Sequence, residues 1–193
     1  MSHGAEHRGT ERITVMGIGN PLMKDEGIGV RAIEVLMASC AFPENVTLID
    51  AGTMGMSILH LFGECDYMLV VDAIDGTGEA PGTVVRLTPD DLAPNQVMHS
   101  LHDIRFVDVL EAAELMGVRP EADCIGIQIE DMSGVGIGLT PAVEAAIPAA
   151  VAAVLTVLAE RGITAEPRED ASVDARVLEA LRTRGRMPGH GAS

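Results

Sequence analysis

Residues 67–73 read Tyr-Met-Leu-Val-Val-Asp-Ala, a run that is apolar almost without interruption and carries one carboxylate, Asp72, near its end. A strand covered by helices on both faces cannot alternate polar and apolar residues, so this run predicts the central strand of a mostly parallel sheet. Upstream, Arg12–Gly17 and Val46–Asp50 read as two more strands. Between them a helix is expected from about Gly29 to Ser39, with Val30, Ile33, Met37 and Cys40 on one face. Thr53 is a candidate N-cap for a helix bearing Met54, Ile58, Leu61 and Phe62.

Downstream the alternation changes. Only the eight residues Ile74–Pro81 separate the central run from the next strand, Gly82–Leu87. A parallel crossover needs a dozen or more residues, so these two segments are expected to pair as an antiparallel hairpin. A further strand follows at Cys124–Ile129. The last long helix is marked by Thr140 as N-cap and Pro141 at its first position. Its core stripe is Val143, Ile147, Val151, Val154 and Leu158, with a kink expected at Pro148. The pattern predicts a single-domain α/β three-layer sandwich: a mostly parallel twisted sheet of about five strands, one of them antiparallel, with helices on both faces. The domain is expected over residues 12–162. Residues 1–11 and 163–193 read as flexible or accessory terminal segments, with a short helix near Val173–Arg182.

Composition narrows the class. The chain has 193 residues, within the range of one domain, and 47% of them are hydrophobic. Aromatics are only 2%, so the core must be built from aliphatic residues and methionine. Thirteen basic residues against 29 acidic ones give a formal charge of −16. That field repels phosphate backbones and anionic lipid surfaces, which disfavours nucleic-acid and membrane roles and favours a cationic partner or a metal ion. Cys40, Cys65 and Cys124 lack CxxC spacing and read as small buried hydrophobes in a reducing compartment. The N-terminal stretch is polar, with no secretory apolar region, and the long apolar segment Pro141–Ala159 contains Glu144 and Pro148 and reads as a buried helix. A cytoplasmic protein without membrane insertion is expected.

In an open parallel sheet, ligands bind outside the carboxyl ends of the strands. Asn20, Asp25, Glu26, Asp50, Asp72, Gln128, Glu130 and Asp131 all fall at or just beyond such ends. Asp72 is the most informative, because a carboxylate ending a buried strand is costly unless it is paired, capped or bound to metal. Asp50 also suits the capping of the Ala-Gly-Thr turn that follows it. On spacing alone, Asp25 and Glu26 read as a solvated loop. Gly17-Ile-Gly19 does not make a dinucleotide site, since the position of the third glycine is Leu22. No GxxxxGK[ST], HExxH or GxSxG motif occurs, and no Ser or Cys carries a local signature of an activated nucleophile.

His102 is the remaining candidate. Ser100 suits an N-cap with Asp103 three residues on, which starts a helix whose apolar face is Phe106, Val109, Leu110, Ala113 and Met116, with His102 on that same face. Taken alone, such a histidine is more often structural than a ligand. The stretch from Thr88 to Ser100 spans roughly 40 Å when extended, enough to return His102 to the neighbourhood of Asp72. Two carboxylates and an imidazole would form a three-ligand site with open positions, suited to a divalent transition metal.

These residues, in this order, resemble the [NiFe] hydrogenase maturation endopeptidases. The resemblance is carried by VMGIGNPLMKDEGIGVRAIEVL (Val15–Leu36), IDAGTMGMSIL (Ile49–Leu59), LVVDA leading to APGTVV (Leu69–Val85), SLHDIRFVDVL (Ser100–Leu110) and GLTPAVEAAI (Gly138–Ile147), which together span about residues 12–162. The family implies a single α/β domain that removes a short C-terminal peptide from the hydrogenase large-subunit precursor after nickel insertion. It implies Glu26, Asp72 and His102 as metal ligands and catalytic residues, with Asp50 and Asp25 in support. The Asp-Ile-Arg-Phe sequence after His102 departs from relatives, which often have smaller or more apolar residues there.

With this ligand set and no nucleophile motif, the nickel is expected to be carried by the substrate and sensed by these ligands, although other divalent metals such as zinc or cadmium would fit the site in vitro. Hydrolysis would then rely on orientation and polarised water rather than a covalent nucleophile. Two other functions use the same residues: a non-catalytic nickel-checking chaperone module, and a metal-dependent hydrolase of small molecules that holds its own metal.

Overall fold

The computed structural model describes residues 10–88, 91, 106–118 and 120–168. In chain order the elements are β1 (Ile13–Ile18), a 3-10 turn (Lys24–Gly27), α1 (Ile28–Ser39), β2 (Cys40–Ala41), β3 (Val46–Gly52), a 3-10 helix (Gly55–Gly63), β4 (Tyr67–Ile74), β5 (Val84–Leu87), α2 (Phe106–Leu115), β6 (Glu121–Gln128), α3 (Pro141–Glu160) and β7 (Glu166–Pro167). The main sheet has the order β3-β1-β4-β6-β5, with every pairing parallel except β5 against β6. The mostly parallel five-stranded sheet with one antiparallel strand is therefore the one the sequence predicts. β4 lies in the middle, and all eight of its residues are buried.

Strand side chains alternate between two cores, as the two-residue period of a strand requires. Ile13, Val15, Leu69, Val71, Ile125 and Ile127 pack with α1 and α3. Met16, Met68, Val70 and Cys124 pack on the other face with Ile58, Phe62, Phe106, Val109 and Ala113. Each fully buried aliphatic side chain of this kind contributes about 1.5–3 kcal/mol. By parity with Met68 and Val70, Asp72 belongs to the second face. α3 is long and apolar enough by composition to cross a bilayer, but its Val143, Ile147, Val151, Val154 and Leu158 are buried in the first core. All three cysteines are buried, and none is in a disulfide among the described residues.

Four local expectations are corrected. β5 is antiparallel, but its partner is β6, not β4. Both edges of β4 are taken by β1 and β6, so the chain crosses the end of β6 before turning back. Gly82 N–H donates to the Gln128 carbonyl (2.8 Å) and Gln128 N–H to the Thr83 carbonyl (2.9 Å) at that crossing. The segment after β3 is a nine-residue 3-10 helix capped at Met54, not an α-helix capped by Thr53, and Gly55 enters it with φ 51°. In α1, Leu36 takes the buried position expected for Met37, which sits at the rim of the core. Met116 is exposed because α2 ends at Leu115.

The chain also keeps contact with the core past Gly162. β7 pairs with β2, and Arg168 donates to the carbonyls of Ser39 (2.9 Å) and Cys40 (3.0 Å). The expected N-cap Ser100, the ligand candidate His102 and the helix near Val173–Arg182 lie outside the described residues.

Candidate functional site

Close backbone packing brings the first loop against the tip of the central strand. A Cβ on Gly29 would stand 2.2 Å from the Ile18 carbonyl oxygen and 2.3 Å from that of Val71. Only glycine allows α1 to begin this near the carboxyl ends of β1 and β4. Gly19, at φ 141°, likewise has the Glu26 carbonyl where a Cβ would go. These contacts give a physical reason for the GIGN-x₄-DEGIG spacing. They fold residues 20–27 back over the strand ends and carry Glu26 to the neighbourhood of Asp72.

Asp72 is 2% exposed, and among the described residues its hydrogen-bond donor is the Ala73 N–H, at 2.8 Å. Burial pushes its carboxyl up to about 8, opposed by the Ala73 N–H and reinforced by the nearby charge of Glu26. Glu26 is 4% exposed, with both carboxylate oxygens buried. Two acids are thus held out of water at one end of the sheet, close enough that the charge of Glu26 disfavours ionisation of Asp72. A divalent cation between them reverses that electrostatic cost, since its own charge dominates the local field. Among the described residues no cluster of three metal-ligating side chains forms. The two carboxylates fit an oxygen-donating partial site, and the predicted third ligand, His102, lies outside those residues.

A pocket adjoins Asp72 on the second face, between the 3-10 helix and α2. It is lined by Ile18, Ala51, Met54, Ile58, Phe106 and Val109, with Asp72 as its carboxylate. Phe106 opens α2 and stands four residues after His102 in the chain.

Asp50 is exposed at the end of β3, and its Oδ1 accepts the Gly52 N–H at 3.0 Å, so it caps its own turn. Asp25 does not lie in a solvated loop. It is fully buried and accepts four hydrogen bonds, from the N–H groups of Glu130 (3.1 Å), Asp131 (2.9 Å) and Thr140 (2.6 Å) and from the Thr140 hydroxyl (3.0 Å). Lys24, at φ 51°, pairs with Asp131, and its N–H donates to the Gly136 carbonyl at 2.9 Å. Gln128 is buried and turned toward the loop between β4 and β5, bonding Thr77 and Asp75.

Against this geometry, the family model described as hydrogenase maturation protease (HycI) matches residues 30–157. The chain belongs to the hydrogenase maturation protease family. It is 39% identical over 172 residues to the hydrogenase expression/formation protein HupD of Rhizobium leguminosarum bv. viciae, covering 87% of this chain and 84% of that one. To the hydrogenase 2 maturation protease of Escherichia coli K12 it is 39% identical over 162 residues, covering 82% and 97%. Among solved structures, the hydrogenase maturating endopeptidase HybD from E. coli superposes with a TM-score of 0.74 at 38% identity, covering 83% of this chain and all but 1% of that one. The protease is thus a hydrolase acting on peptide bonds, which sets aside a purely non-catalytic module.

Sequence reasoning found Asp72 from its strand but missed the depth at which this protease buries Asp25. A signal for it existed at the start of α3. In a capping box the residue three positions after the N-cap reaches back to the N-cap N–H. Here that residue is Val143, which has no acceptor to offer, so the Thr140 N–H needs one from elsewhere in the fold.

Proposed function

We propose that this protease removes the C-terminal extension of a [NiFe] hydrogenase large-subunit precursor once nickel has been inserted, and that the nickel arrives as part of that substrate. Glu26 and Asp72 supply oxygen donors and His102 a nitrogen donor to its open positions, with Asp50 in support. The observation that carries this reading is the pair of buried acids at the carboxyl edge, one pushed up to about 8 by burial and by the other's charge. Metal-free, that pair favours a proton on Asp72. Cation binding favours its release to solvent, so the site discriminates a metal-loaded partner from an empty one by charge.

In this reading Glu26, Asp72 and His102 fix the orientation of the docked precursor, which presents the scissile bond to water. Bound nickel supplies Lewis acidity toward that bond or serves as a recognition handle. No Ser or Cys of this chain carries the local motif of a covalent nucleophile. The pocket beside Asp72, apolar apart from that acid and Thr53, suits an uncharged side chain of the precursor. Residues 12–162 form the peptidase unit, with accessory segments at either end, and the protein works in the cytoplasm where the precursor is assembled. A net charge of −16 suits a cationic centre in the partner.

The test is to incubate the purified protein with nickel-loaded and nickel-free precursor and read the large-subunit mass. The expected result is a shortened subunit only with nickel. Equal shortening of both forms would remove the nickel from the account, and binding without shortening would contradict the proposed cleavage.

A further inference from the structure

The carboxylate next to Glu26 has a role of its own. Asp25 reaches 115 residues along the chain to the start of α3, where its Oδ1 accepts the Thr140 N–H at 2.6 Å and its Oδ2 the Thr140 hydroxyl at 3.0 Å. Oδ2 also accepts the N–H groups of Glu130 and Asp131, at 3.1 and 2.9 Å. All four contacts are donations to the carboxylate, at a fully buried position.

Thr140 is the N-cap of α3, yet its side chain makes no capping bond within the helix. Asp25 therefore does from a distant loop what the third residue of the helix does in a capping box, and its charge faces the positive end of the helix dipole. Around it the two loops are further tied by the Lys24–Asp131 ion pair and by Gly136 N–H donating to the Leu22 carbonyl at 2.9 Å.

The structure assigns Asp25 as a positioning residue: it latches the Glu26 loop to the 130–140 loop and the first turn of α3, and so fixes where Glu26 presents its carboxylate. The assignment rests on the reading of Glu26 as a nickel ligand. Glu26 follows Asp25 directly in a four-residue 3-10 turn, so releasing one frees the backbone that carries the other. A latch of this kind acts on the engagement of nickel rather than on the bond-breaking step, as supporting partners of metal ligands do, typically by 10–100-fold.

The experiment compares Asp25→Asn, Thr140→Val and Thr140→Ser with wild type, after melting curves establish that each is folded at the assay temperature. The readouts are KM and kcat for nickel-loaded precursor, and binding of nickel ion alone by calorimetry. In Asp25→Asn the new NH₂ must face at least one donor N–H. A KM at least tenfold above wild type is expected, with kcat within about threefold and a matching loss of nickel affinity. Thr140→Val removes one of the four contacts and should raise KM by a smaller factor, whereas Thr140→Ser keeps the hydroxyl and should match wild type.

A folded Asp25→Asn with wild-type KM and nickel affinity would make the contacts merely structural and overturn the assignment. If Asp25→Asn does not fold, Thr140→Val decides, and an unchanged KM there overturns it equally. Glu26→Gln separates the two layers: wild-type cleavage in that variant sinks the ligand reading itself, whereas its loss beside a normal Asp25→Asn sinks only the latch.

Discussion

The two ends of the β4–β6 ladder bury an aspartate each and treat it in opposite ways. At the amino end, Asp123 accepts the Tyr67 hydroxyl at 2.7 Å and is clamped by Arg86 through Nε (3.1 Å) and Nη2 (2.6 Å). Arg86 also reaches Glu160 at 2.6 Å, and Arg161 stacks 3.3 Å from the Tyr67 ring centre while bonding Glu11 and Glu121. At the carboxyl end Asp72 has the Ala73 N–H and, close by, another acid. Buried charge that is fully paired holds a fold in one arrangement, and removing one partner is what costs. A buried acid beside a like charge is strain kept for a ligand. The contrast supports the proposed site at the carboxyl end on physical grounds, without reference to any relative.

The comparison can be broken most sharply by exchanging charge for amide at each end. Asp72→Asn should lower cleavage of nickel-loaded precursor by more than the ~100-fold that loss of a mere supporting partner reaches, while leaving the metal-free protein at least as stable. Asp123→Asn should do the reverse. It should destabilise the fold by about 3 kcal/mol, at the low end for a broken buried pair because Arg86 keeps Glu160, with cleavage per folded molecule unchanged. Denaturant titration and precursor mass together read both. A variant at the amino end that stayed stable but lost cleavage would erase the distinction.

A smaller effect follows from the raised Asp72 carboxyl. Its ordinary value is 3.8 and the fold pushes it to about 8, so between these values the folded chain holds a proton that the unfolded chain has released. Stability contributed by that proton is fully present below about pH 4 and is lost as pH rises through about 8. For the metal-free protein this declining contribution amounts to a few kcal/mol by order of magnitude. Melting curves taken across this window should show an alkaline-side loss in wild type that is absent in Asp72→Asn. Identical pH profiles for the two would contradict the assigned burial cost. The smallest effect is expected from Tyr67→Phe. Deleting one hydrogen bond to an acid that retains Arg86 should cost about 1 kcal/mol in unfolding free energy and leave precursor processing untouched.

How much of this the sequence disclosed depends on the range of the interaction involved. β4 was legible because its own seven apolar residues require cover on both faces, and α3 because Thr140-Pro141 is a local start signal. Asp72 followed from β4. The partner of β5 was not legible: the eight-residue connection constrains direction, but only the competition of β1 and β6 for the edges of β4 decides neighbours. The 3-10 helix was hidden because Ile58 and Phe62 show the same spacing in an α-helix. Asp25 was misjudged for the same reason on a longer scale. Its four donors come from residues 130–140, and nothing within ten residues of it in the chain distinguishes a latch from a solvated loop. Glu26 and His102 as ligands came from likeness to relatives, and the burial of Glu26 beside Asp72 gives the first of these a physical basis.

The central claim is that the acids of the carboxyl edge converge on one metal ion. It is tested most directly by anomalous diffraction from crystals of this protein soaked with nickel or cadmium. The account predicts one dominant peak within about 2–2.5 Å of a carboxylate oxygen of both Glu26 and Asp72, with the His102 imidazole completing the set. A peak at the Asp123 cluster instead, or full occupancy elsewhere with Glu26 and Asp72 uncoordinated, would contradict it.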